Sequence, residues 1–290
     1  MRFELDDDQR DFAAALESLL AGSDTVGAAR AWADGDHAPG LKLWSRLGEL
    51  GVLSLATEAT PVEVAIAFEA LGRHAVPGPW VESAAYLPVA LGHEVEGIAT
   101  VSVPPHVPYA LDADVADRVY VGDAPASSVG EPLGSVDPTR RLFHVTGEGE
   151  PSQEAFDLAA LATAAQLLGA GERVLADSVA YVKQRTQFGR EIGSYQAIKH
   201  ALADVRIALD FARPLVFGAA LGAVDVSAAK VAAGDAAYLA ARTGLQVHGA
   251  IGYTRELDLS LWLTKIRALV TAWGTPTFHR TRLLQQLEAD

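Results

Sequence analysis

Residues 154–184, EAFDLAALATAAQLLGAGERVLADSVAYVKQ, followed by RTQFGREIGSY at 185–195, decide how this chain is read. An alanine- and leucine-rich run of that length predicts one long helix of a bundle. The glycine-containing segment after it predicts a connection to a second helix, from Gln196 to about Leu221. Pro214 is expected to kink that helix or mark a boundary, because proline removes a backbone donor. Asp225 or Ser227 starts a third helix running towards His248, GAIGY (249–253) turns the chain, and a fourth helix spans Leu257 to Val270. AWGTPTF (272–278) breaks the pattern before a short terminal helix. The portion 151–290 therefore reads as an antiparallel four-helix bundle.

Working outward, residues 1–94 read as helical. Leu5, Phe12, Leu16, Leu19 and Leu20 recur at helical spacing, with Asp6 as a cap beside an acidic first turn. GLKLWSRLGELGVLSL (40–55) contains a helix ending near Gly51, and Pro61 suits the first turn of another. The signal changes in 95–150, where EGIATVSV, DRVYVGD and RLFHVTG are short β-prone runs separated by Pro, Gly, Asp and Ser. The expectation is a mainly α protein with a helical N-terminal domain, a small middle β-domain and a helical C-terminal domain. No internal repeat is visible.

Composition narrows the function classes. The 290 residues carry 23 Lys plus Arg against 37 Asp plus Glu, a formal net charge of -14, which disfavours nucleic acid and anionic membranes as partners. With no cysteine, disulfides, thiolate nucleophiles and cysteine-ligated metals are excluded. The acidic start lacks a basic region leading into an apolar run, and no segment has the length of a membrane span. A soluble, cytoplasmic protein is expected.

The generic motifs are ambiguous when taken alone. HGAIGY (248–253) lacks the preceding strand of a dinucleotide fingerprint and reads as a helix-to-helix turn, although its glycines could present amides to a phosphate. Arg185 and Arg190 flank a helix break containing Gln187, with Lys183 nearby, and read either as an anion clamp or as a solvated basic rim. His200 and His248 lack the partners of a triad. No HExxH-like pair supports zinc, so no metal site is expected. Asp204 and Asp210 do not share a helical face, and Glu256 with Asp258 looks like an ordinary helix start.

VKQRTQFGREIGSYQAIKHALADV (182–205) and LQVHGAIGYTRELDL (245–259) together resemble the acyl-CoA dehydrogenase family. ELDDDQRDF, LWSRLGELGVLSL and FEALGRHAVPGP in the N-terminal part are similar to its helical domain. The resemblance implies a helical domain, a middle β-domain and a C-terminal four-helix bundle, assembled as a tetramer of two tight dimers with FAD at a dimer interface. It also implies that Arg185, Gln187, Phe188, Gln246, Gly249, Ala250 and Gly252 approach the adenosine and pyrophosphate of a neighbouring subunit's FAD, with Thr275 in a further matching position. Ala250 stands where the family has a second glycine.

The family reaction removes an α-proton and passes the β-hydrogen to the flavin, and it needs a carboxylate base. In AWGTPTFHR (272–280), Trp273 occupies the position of that glutamate, with Gly274, Thr275 and Arg280 retained around it. An indole cannot accept the α-proton. Glu154, Asp157 and Glu256 are weak substitutes, Glu256 being better suited to capping the next helix or pairing with Arg255 or Arg267. The middle segment also lacks the family's TEPxxGSD-like loop, as though it had suffered a large deletion. These losses resemble the non-catalytic subunit of actinobacterial α2β2 steroid-CoA dehydrogenases. The implied function is α,β-dehydrogenation of an acyl- or steroid-CoA thioester in lipid metabolism or steroid catabolism, with the catalytic carboxylate on a longer homologous partner. The alternatives are a self-sufficient homomeric dehydrogenase with a relocated base, and a flavin-binding assembly protein without activity.

Overall fold

The computed structural model describes residues 4–289. The N-terminal helices are α1 (Asp7–Ala21), α2 (Thr25–Ala33), α3 (Ala38–Glu49), α4 (Leu55–Glu58) and α5 (Pro61–Arg73). Their starts follow from local chemistry. Asp6 and Gln9 form a reciprocal capping box on α1, and Thr60 with Glu63 forms another on α5 behind Pro61 in the first turn. A π-helical turn, Glu82–Tyr86, then leads into α6 (Leu87–Leu91).

The middle segment folds into two small sheets. β1 (Ala99–Ser102) pairs in parallel with β3 (Arg118–Val121), which pairs antiparallel with β4 (Ala124–Pro125). β2 (Ala110–Leu111), β6 (Leu142–Thr146) and β5 (Ser128–Leu133) form the second, in the order β2-β6-β5 and antiparallel throughout. The three β-prone runs read from the sequence supply β1, β3 and β6. β5 was hidden because SVGEPL is exposed along its whole length and carries Gly, Glu and Pro.

α7 (Gln153–Gln184), 32 residues long and capped by Ser152, is the long bundle helix expected over 154–184. It leads through the β7–β8 hairpin (Thr186–Gln187 and Arg190–Glu191) to α8 (Gln196–Ala220), α9 (Val226–His248), α10 (Leu259–Leu269) and α11 (Pro276–Ala289). Asp225 caps α9 by accepting from the Ser227 amide at 2.7 Å. Pro214 does not divide α8, which runs unbroken through it. The helix is held on α9, α7 and α5, and this tertiary support outweighs the one hydrogen bond that proline removes.

The N-terminal and C-terminal helices share one hydrophobic core. α5 and α7 meet at glycines: a Cβ on Gly169 would lie 1.9 Å from the Glu69 carbonyl oxygen, and one on Gly72 would lie 2.1 Å from that of Gln166. Beside this crossing, Arg213 of α8 reaches Glu69 at 2.7 Å and Glu172 at 2.7 Å, and Arg73 also binds both carboxylates. Burial disfavours these charges, yet the arginines hold the Glu172 carboxyl below its ordinary pKa. Trp262 of α10 donates to the carbonyls of Gly72 and Arg73 at the end of α5. Among the described residues, no helix is long and apolar enough to cross a membrane.

Candidate functional site

Two regions carry the sequence-predicted residues, and they contrast in exposure. The first lies where α7 and α9 end. Phe188 and Gly189 form the two-residue loop of the β7–β8 hairpin with φ values of 52° and 79°, the left-handed pair that a tight primed turn requires. Phenylalanine is disfavoured in that conformation, and its ring is 92% exposed, so packing within the chain does not account for it. Arg185 and Gln187 are exposed beside it. Arg185 forms no ion pair among the described residues, whereas Arg190 lies 3.9 Å over the Tyr195 ring.

The GAIGY turn sits at the same end of the bundle. His248 stacks on Tyr181 with ring centroids 4.2 Å apart, and the Tyr181 carbonyl accepts from the Arg185 amide. Gln246 and Ala250 are exposed, Gly249 is half-buried and Gly252 is buried. Gly249 has φ 64° with open space where a Cβ would stand, while a Cβ on Gly252 would come within 3.1 Å of Leu245.

The second region surrounds Trp273, which is 1% exposed. It adopts φ 54° ahead of Gly274, and its ring lies 5.1 Å from Tyr86 and 5.8 Å from Phe156. His279 Nε2 donates to the Trp273 carbonyl at 2.9 Å, and His279 Nδ1 accepts from the Ser227 hydroxyl at 3.0 Å. That pattern needs a neutral imidazole. Burial accordingly lowers the His279 pKa to about 4. Thr275 is exposed, and its hydroxyl oxygen accepts from the Phe278 amide as the cap of α11.

Trp273 forms one wall of a cavity of about 600 Å³. Its other walls are the Pro105–Tyr109 loop, the segment 134–140 between β5 and β6, and the end of α10 from Arg267. A buried ion pair braces the second of these: Lys265 Nζ lies 3.3 Å from Asp137 and donates to Thr139 at 3.0 Å.

None of the three proposed carboxylates lines this cavity. Glu154 is exposed in the first turn of α7, and Asp157 is paired with Arg282 at 2.6 Å. Glu256 is exposed, and among the described residues it makes neither the helix-capping bond nor the ion pair expected of it. α10 begins after Asp258 instead, and Arg30 of α2 holds the Asp258 carboxylate at 2.7 Å. The carboxyl that does face the cavity is Glu82, which the sequence reading missed. Its signal was visible as the lone charge between Pro77 and Gly92. It is 2% exposed, and its Oε2 has no hydrogen-bond partner. Burial raises its pKa, opposed by Arg140 and the Trp273 indole. Among the described residues, no cluster of metal-ligating side chains occurs.

This arrangement of N-terminal helices, small sheets and C-terminal bundle has close counterparts among known proteins. The chain belongs to the acyl-CoA dehydrogenase family: residues 149–288 match the family's C-terminal domain. Over 249 residues it is 32% identical to the acyl-CoA dehydrogenase IpdE2 of Mycobacterium tuberculosis, covering 79% of this chain and 77% of that relative. Two solved structures share the fold at lower identity. The ChsE4-ChsE5 complex from Mycobacterium tuberculosis superimposes with a TM-score of 0.83 at 20% identity, covering 100% of both chains. A steroid acyl-CoA dehydrogenase, a Tcur3481-Tcur3483 variant, gives 0.82 at 18% identity and 98% of each chain. A third structure of the same fold, with a TM-score of 0.82 at 18% identity, is described as an FAD-dependent dehydrogenase.

Proposed function

We propose that this chain is a subunit of a heteromeric FAD-dependent acyl-CoA dehydrogenase, completing the flavin site of a longer homologous partner that carries the catalytic carboxylate. The substrate would be an acyl- or steroid-CoA thioester. The observation that carries this reading is the contrast between Trp273, 1% exposed where the family's base would stand, and Phe188, 92% exposed on the hairpin. The indole packed against Tyr86 and Phe156 offers no proton acceptor at that position, while a strained aromatic directed to solvent costs free energy that a bound group would offset.

The residues at the hairpin end fit a dinucleotide. Arg185 supplies an exposed guanidinium with no ion-pair partner among the described residues, suited to a phosphate. Phe188 supplies a face for a flat ring system, and Gly249 leaves its backbone open to close approach. When bound, FAD supplies the hydride acceptor of the dehydrogenation. This chain's part is to bind and orient the dinucleotide end through Arg185, Gln187, Phe188, Gln246 and the 249–252 turn. Two solved relatives of the same fold support the reading, since one is described as a two-component complex and the other as a steroid acyl-CoA dehydrogenase.

The test is co-expression with a longer homologous acyl-CoA dehydrogenase from the same genome. The expected product is an α2β2 complex with bound FAD, while the chain alone retains little flavin and oxidises no acyl-CoA. Robust oxidation by the isolated chain would overturn the proposal.

A further inference from the structure

We propose that the cavity between Glu82 and Arg267 is a binding site for an apolar organic anion that also carries a hydroxyl group. This does not rest on the heteromeric reading, because every group involved belongs to this chain.

A volume of about 600 Å³ falls in the range of sites that enclose a small organic ligand. Pro105, Val107, Leu111, Val136, Leu142 and Trp273 make most of the wall apolar. The walls are built in advance. Lys265, Asp137 and Thr139 lock the 134–140 segment onto α10, and the Trp273 turn is held by His279, so little ordering is left for binding to supply.

Polar groups occur at specific places. Glu82 projects from the π-helical turn, and its buried, unpartnered Oε2 incurs a desolvation cost that a ligand donor would relieve. A hydroxyl suits this carboxyl better than an ammonium does. It can donate or accept according to the protonation state of Glu82, and it adds no positive charge near Arg140, whose field reaches Glu82. At the rim, Arg267 is exposed and forms no ion pair among the described residues. An unpaired guanidinium there selects an anionic end, a carboxylate or a phosphate. The three features together specify a hydroxyl inside, an apolar body and an anion at the mouth.

Isothermal titration of the full chain, in the assembly in which it purifies, tests this directly. The probes are ω-hydroxydecanoate, ω-hydroxydodecanoate and ω-hydroxyhexadecanoate, each beside the unsubstituted acid, with dodecane-diol as the probe lacking an anion and dodecyl phosphate as the alternative anion. At least one hydroxy acid should bind one-to-one, about tenfold tighter than its unsubstituted counterpart. Glu82→Gln should keep that preference, since an amide still pairs with a hydroxyl, whereas Glu82→Leu should abolish it. If Glu82→Leu does not fold, Arg267→Ala decides: it should weaken the hydroxy acid several-fold and leave the diol unchanged. Binding of dodecyl phosphate in place of the carboxylates would identify phosphate as the anion. No binding by any probe, no preference for the hydroxyl in the wild type, or a preference that survives Glu82→Leu would overturn the proposal.

Discussion

The ring of Tyr181 in the last turn of α7 stacks on that of His248 at the end of α9, with centroids 4.2 Å apart and planes inclined by 27°. Five residues beyond Tyr181 the chain enters the β7–β8 hairpin, and immediately after His248 it enters the GAIGY turn. One aromatic contact therefore joins two turns that are distant in sequence. Such a pair contributes about 0.5–1.5 kcal/mol beyond its buried area. Tyr181→Leu is expected to lower FAD affinity of the proposed complex several-fold while shifting the melting temperature by only a few degrees. Flavin titration of the apo-complex alongside thermal melts checks this, and an unchanged flavin affinity would separate the stacking from the cofactor site.

Phe188 should trade stability against binding. Its left-handed conformation costs roughly 1–2 kcal/mol, a cost smaller for asparagine. Phe188→Asn is expected to hold or raise the melting temperature and to reduce flavin retained through gel filtration. Arg185→Ala should reduce retention without the stabilisation.

The α5–α7 crossing has no room for a side chain at Gly169. Since a methyl group would meet the Glu69 carbonyl at 1.9 Å, Gly169→Ala should force the helices apart and cost about 1–3 kcal/mol or more. Chemical denaturation should show a lower midpoint. A neutral result would mean that the two helices are less closely apposed.

Restoring a carboxylate at position 273 should not restore a base. Trp273→Glu removes a fully buried ring, a change costing on the order of 3–5 kcal/mol, and adds a second carboxyl beside Glu82. The expected outcome is a less stable chain with no acyl-CoA oxidation in a dye-reduction assay. Turnover by this variant alone would show that the rest of a self-sufficient active site survives.

His279 and Asp112 impose opposite pH dependences. Burial depresses His279 from its ordinary 6.5 to about 4, so between these values the unfolded chain binds more protons and stability falls as the pH is lowered. Burial raises Asp112 from 3.8 to about 7, so its contribution is present below 3.8 and is lost as the pH rises through about 7. Urea titrations across this window should show that His279→Gln removes the acid-side loss and Asp112→Asn removes the neutral-side loss. Parallel profiles for wild type and variants would contradict both assignments.

Much of the helical framework was legible because its signals are local. The cap at Asp6, Pro61 in a first turn, Asp225 as a cap and the apolar run of α7 each depend on residues within a turn or two. The failures came where distant groups intervene. Glu256 looked like a cap, but Arg30 from α2 organises Asp258 two residues on. Of the kink or boundary that Pro214 suggests, the boundary is absent, because packing carries α8 through it. β5 has no apolar alternation to detect, since it pairs at a sheet edge with every residue exposed.

By itself, the sequence determined the long helices of the bundle and three of the short strands, the two glycine-containing turns that mark the family, and the presence of an indole where that family's base is expected. Those are properties of residue type and near-neighbour spacing. Only the tertiary structure decided that Trp273 is packed against Tyr86 and Phe156, that Phe188 is left to solvent, and that Glu82 opens on the same cavity as Trp273 and Arg267. Burial and the loss of hydrogen-bond partners arise from contacts between segments far apart in the chain, and the free energy of an ionisable group is set by those surroundings rather than by its neighbours in sequence.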